Sequence, residues 1–72
     1  MYTLNENYTK NINIMEENLN RGMSYSMAMS IIDSQKKALI KAGLYGEEEQ
    51  HYIKKLEAVV LSHKSKIDIV IN

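Results

Sequence analysis

The chain has 72 residues, too few for more than one domain, and nine Lys plus Arg balance nine Asp plus Glu, so no global charge draws it to nucleic acid or an anionic membrane. It contains no cysteine, which excludes disulfides and thiol chemistry, and no proline, with only three glycines to break the chain. A domain this short buries only about 60% of its unfolded surface. Self-association or unusually good helix packing must then supply the missing stability.

The first predicted helix runs from about Leu4 to Asn20. Thr3 followed by Glu6 has the spacing of a capping box. Leu4, Tyr8, Ile12, Met15 and Leu19 then recur at helical steps on a stripe roughly 80° wide, which only Ile14 breaks. The remainder of this segment is polar and rich in Asn, a poor helix former, so it reads as the least stable of the helices.

Gly22 fits the left-handed position just past a helix end, and Ser24 fits the N-cap of the next helix. The second helix is predicted over Tyr25 to Ala42. Its apolar arc, from Tyr25 and Ala28 through Ile32 to Leu39 and Ile40, spans roughly 200° of the wheel, which marks it as the central element covered by more than one neighbour. Ile32 and Leu39 fall near the middle of the arc and are expected in the core. Gln35 also falls inside it, either as a polar residue that fixes register or oligomer state or as a half-exposed edge.

Gly43 and Leu44 look like a Schellman stop, with Leu44 folding back toward Leu39. The short linker through Gly46 implies that helices two and three form an antiparallel hairpin. Glu47, Glu48 and Glu49 then suit the positive end of the third helix dipole. Its apolar stripe is Tyr45, Tyr52, Ile53, Leu56, Val59, Val60 and His63, extending to Ile67. The β-branched tail 67–72 reads as a frayed or continuing helix.

No site of chemistry emerges. Glu48 and His51 have the spacing of a carboxylate-bridged di-iron motif, but the wheel turns His51 about 130° from the apolar stripe, toward solvent. His63 lies on the stripe, where a lone histidine is usually a partly buried structural residue. No serine sits in a glycine elbow and no glycine-rich loop could cradle a phosphate. The chain is therefore expected to be no enzyme, with no catalytic residue, cofactor or metal.

Nucleic-acid binding is disfavoured, because a recognition helix presents its N-terminus and helix three opens with three glutamates. Residues 34 to 66 do carry a net charge of +3, with Lys37, Lys41, Lys54 and Lys55 as a modest basic face. No segment is long and apolar enough for a membrane span or a signal peptide, and a cytoplasmic location is expected by default. The abundance of Asn, Ile and Lys matches AT-rich codons, which points toward a low-GC bacterium or its phages and plasmids.

The most suggestive apolar group is Met23, Tyr25, Met27 and Met29, with Tyr45 on the linker, since Met and Tyr are favoured at interfaces. Together with the wide arc of helix two, they exceed what three short helices should bury internally. The sequence thus predicts an all-α fold of three short helices in a single helical domain over residues 1–72, assembled as a homodimer. The expected function is a small protein-protein interaction regulator or inhibitor that occupies a surface of an unidentified partner protein. The alternatives are a nucleic-acid-associated regulator and an oligomeric small-ligand sponge.

Overall fold

The computed structural model describes residues 4–71, with side chains described through Lys64. It comprises three α-helices, α1 (Glu6–Asn20), α2 (Tyr25–Lys41) and α3 (Glu47–Ile71), with no strand among the described residues. The helices begin and end where local chemistry allows. Asn5 rather than Thr3 is the N-cap of α1, its Oδ1 accepting the Asn7 N–H at 2.7 Å, so the helix starts later than predicted. Thr3 lies outside the described residues. Ser24 caps α2 as expected, its Oγ accepting the Met27 N–H at 3.1 Å.

Both glycine stops are Schellman turns. At the end of α1 the Met23 N–H reaches the Asn18 carbonyl at 3.0 Å and Gly22 sits at φ 109°. At the end of α2 the Leu44 N–H reaches the Leu39 carbonyl at 2.9 Å and Gly43 sits at φ 73°. These left-handed conformations cost an L side chain but not glycine. Leu44 folds back only through its backbone, because its side chain is 62% exposed.

The helices are not uniformly short. α3 has 25 residues and continues through Ile71, so the tail extends the helix as its backbone. It is also the central element, a correction to the expectation for helix two. Among the described residues half of the buried side chains belong to it: Tyr52, Ile53, Leu56 and Val60 on α3 join Met15 and Leu19 from α1 and Ala28 and Ile32 from α2. α1 and α2 both pack along α3 and touch each other little. The wide apolar arc of α2 is therefore covered mainly by one neighbour. Leu39, expected in the core, is half-buried at the edge of a shallow groove between α1 and α2, and Ile40 is exposed. Ile67 lies beyond the side chains described.

Cross-helix pairs fix the directions. Tyr25 meets Lys64, Gln35 meets Tyr52 and Tyr45 meets Lys36, so α2 and α3 are antiparallel as the short linker implied. Asn5 meets Glu48 and Tyr8 stacks on Tyr52, with ring centroids 4.3 Å apart and 13° between planes, so α1 runs parallel to α3. Burying each large apolar side chain in this seam contributes roughly 1.5–3 kcal/mol.

Candidate interaction surface

The two ends of the bundle differ in chemistry. At the end holding the Gly43–Gly46 turn, the first-turn carboxylates of α3 tie α1 in place. Glu48 Oε2 accepts the Asn5 N–H at 2.7 Å, and Glu49 Oε2 accepts the Tyr8 hydroxyl at 2.8 Å. Glu49 Oε1 also accepts the Gly46 N–H at 3.0 Å, the reciprocal half of a capping box. Donating to a carboxylate, with some burial added, pushes the Tyr8 phenol up to about 12. The same bond holds Glu49 below the ordinary glutamate range. Burial raises the Tyr52 phenol, whose hydroxyl donates to Gln35 Oε1. Gln35 is thus half-buried, as one of the two readings of its position had it, with its carbonyl partnered.

At the other end, the turn between α1 and α2 leaves apolar surface open. A cleft of about 380 Å³ lies between the turn and α3, lined by Leu19, Met23, Tyr25 and Val60 together with His63 and Lys64. The Lys64 ammonium stands 4.3 Å from the Tyr25 ring centroid, within cation–π range. Met27 is 57% exposed on the first turn of α2, and Tyr25 is 38% exposed.

The five residues singled out in the sequence are therefore divided. Tyr25 and Met27 are exposed, and Met23 borders them in the cleft while packing on the core. Met29 is half-buried against the core. Tyr45 also packs on the core, at the opposite end of the bundle, with the Lys36 ammonium 6.0 Å from its ring centroid. An antiparallel hairpin dictates that separation, since it places the Gly43–Gly46 turn as far as possible from the start of α2.

Sequence reasoning missed His63 and Lys64 as neighbours of this surface. The signal was present: Tyr25 and Lys64 lie equally far from the Gly43–Gly46 turn, so hairpin pairing brings them together. His51 is exposed, and Glu48 of the suspected metal motif is occupied by Asn5. Among the described residues no group of three or more His, Asp or Glu side chains is placed to hold a metal ion, and no helix is long and apolar enough to cross a membrane. Of the basic face, Lys37 pairs with Asp33 at 3.0 Å, while Lys41, Lys54 and Lys55 are exposed. Compared with protein-family models, with curated proteins and with solved structures, the chain matches none.

Proposed function

We propose that this chain is a small, non-enzymatic interaction protein, a regulator or inhibitor that self-associates and acts by occupying a surface of a partner protein. The observation that carries this reading is the open end of the bundle. There Met27 and Tyr25 are exposed beside an apolar cleft, in a domain small enough that such surface is costly to leave in water. Methionine adapts to irregular partners, and tyrosine contributes large contact area at low entropic cost. A cytoplasmic setting and a phage or mobile-element origin belong to the same reading and rest on composition alone.

The test is the double variant Tyr25→Ala/Met27→Ala in the full chain. Its helical circular dichroism should match the wild type, while a protein captured by the wild-type chain from an extract of the source cell is lost. A variant that captures the same protein as strongly as the wild type defeats this assignment of the surface.

A further inference from the structure

The cleft at the open end differs in charge from three other grooves of the described surface. Its lining holds the Lys64 ammonium and the His63 imidazole, and no carboxylate. The groove that shares His63 holds Glu16, the one along α1 holds Glu6 and Glu17 beside Lys10, and the one beside Leu39 holds no charged residue. The first turn of α2, which brings Tyr25 to the cleft, has no acidic residue either, whereas those of α1 and α3 do. An anion in this cleft meets a cation with no carboxylate of the lining against it.

Lys64 is placed to act as that cation. Its ammonium stands 4.3 Å from the Tyr25 ring centroid, and it belongs to neither ion pair of the described residues, Arg21–Glu17 and Lys37–Asp33. An ammonium has three N–H donors, and the face of one ring covers only one side of it. Around it the lining is apolar: Leu19 and Val60 are core residues of α1 and α3, and Met23 adapts its shape to what it touches. The volume of about 380 Å³ falls within the roughly 300–1,000 Å³ of small-molecule sites. The turn has little to offer an extended peptide backbone. The Gly22 and Met23 N–H groups are bonded to the Leu19 and Asn18 carbonyls, and Ser24 Oγ accepts the Met27 N–H.

We propose that this cleft binds a small apolar carboxylic acid in its ionised form, with the hydrocarbon body against Leu19, Met23 and Val60 and the carboxylate accepting from the Lys64 ammonium. Removing the hydrocarbon from water supplies the affinity, and the ion pair supplies the preference for an acid over a neutral analogue. The site does not rest on the partner binding proposed above. Tyr25 is common to both, but Met27 does not line the cleft.

The experiment titrates the full chain with phenylbutyrate and with its neutral isostere phenylbutanamide, following the methyl NMR signals of Leu19 and Val60. An acid of this size should saturate those shifts with a Kd of about 1 mM. It should bind about fivefold more tightly than the amide, as an ion pair at a partly solvated site allows. Lys64→Gln should erase that preference with helical circular dichroism retained, and Lys41→Gln, at the other end of α2, should preserve it. The comparison of acid with amide on the wild type needs no variant, so it stands even if Lys64→Gln misfolds. Met27→Ala should leave the Kd of the acid unchanged, which separates this site from the partner surface. Equal binding of acid and amide, shifts confined to Leu39, or no saturation by about 10 mM acid overturns the proposal. Tighter binding of a blocked phenylalanyl-glutamate dipeptide, which sets a ring and a carboxylate on a peptide backbone, also overturns it and makes the cleft a peptide site.

Discussion

The two ends of the bundle are held by different forces. At the Gly43–Gly46 end, α1 is registered against α3 by directional bonds: the Asn5 N–H to Glu48, the Tyr8 hydroxyl to Glu49, and the Tyr8–Tyr52 stack. At the α1–α2 turn the hydrogen bonds and the Arg21–Glu17 ion pair stay within a turn or a single helix, the contacts described from one helix to another are apolar or cation–π, and the cleft of Leu19, Met23, Tyr25 and Val60 stays open. Hydrogen bonds fix a register because their strength falls steeply with misalignment. Apolar contacts are tolerant of geometry and can be exchanged for those of a partner. The closed end therefore fixes the register of α1 on α3, and the open end is the part of the bundle whose contacts a partner could replace under the function proposed above.

The largest test of this contrast strikes what the ends share. Leu56, 1% exposed near the middle of α3, packs in the one core that joins them. Leu56→Ala should cost about 2–5 kcal/mol, a large part of the total stability of about 4–11 kcal/mol expected for a chain of 72 residues. A chemical denaturation curve should shift accordingly and remain a single transition. A variant as stable as the wild type would show that α3 is not the central support.

The glycine stops allow the ends to be compared directly. An added Cβ meets nothing within 4 Å at either Gly22 or Gly43, so at both the strain from positive φ carries the penalty with no clash at Cβ added to it. Gly22→Val and Gly43→Val should each lose on the order of 1–2 kcal/mol in thermal melts. Wild-type melting of Gly43→Val would refute the left-handed stop that turns the hairpin.

These stops were legible in the sequence because they are local. Gly22, Ser24 and Gly43 act through bonds within six residues, and the spacing displays those bonds. What could not be read was which helix lies between the other two. The arc of α2 is wider on a wheel than the stripe of α3, yet Leu39 and Ile40 escape burial because α1 packs on α3 and stands off from α2. Wheel width measures apolar content, not the number of neighbours. Glu48 and Glu49 were likewise placed correctly at a helix start, where the dipole favours them. Their bonds to Asn5 and Tyr8 cross more than forty residues of chain and leave no periodic trace. Of the candidate surface, Tyr25 and Met27 were readable as apolar residues at the margin of an arc. Met29 and Tyr45 are the same residue types, and only tertiary packing separates them.

A smaller effect is expected at Gly46, which precedes α3 with no positive φ. Serine there would offer its hydroxyl to an N–H of the first turn and complete the capping box that Glu49 already half forms. Its Cβ would come within 3.1 Å of Glu49 Oε1, the far end of a flexible side chain. Gly46→Ser should therefore gain a few tenths of a kcal/mol, which raises Tm by about 1–2 °C. A clear loss would mean that Glu49 cannot shift without releasing Tyr8.

That release can be measured on its own, and it is the subtlest way to sharpen the contrast between the ends. Tyr8→Phe keeps the ring on Tyr52 and removes only the hydroxyl that donates to Glu49. The pH dependence follows from the two shifts. The Tyr8 phenol is raised from its ordinary value of 10 to about 12, so its contribution is fully present below pH 10 and lost as pH rises through about 12. Glu49 is lowered, so its contribution is present above the ordinary glutamate pKa and lost as pH falls through the depressed value. Wild type and variant should consequently differ in stability across the neutral range and converge in acid and in strong alkali. The difference will be small, because Glu49 is solvated and its bond competes with water. Parallel pH curves for wild type and Tyr8→Phe would mean that Tyr8 is held by its stack on Tyr52 and not by its hydroxyl.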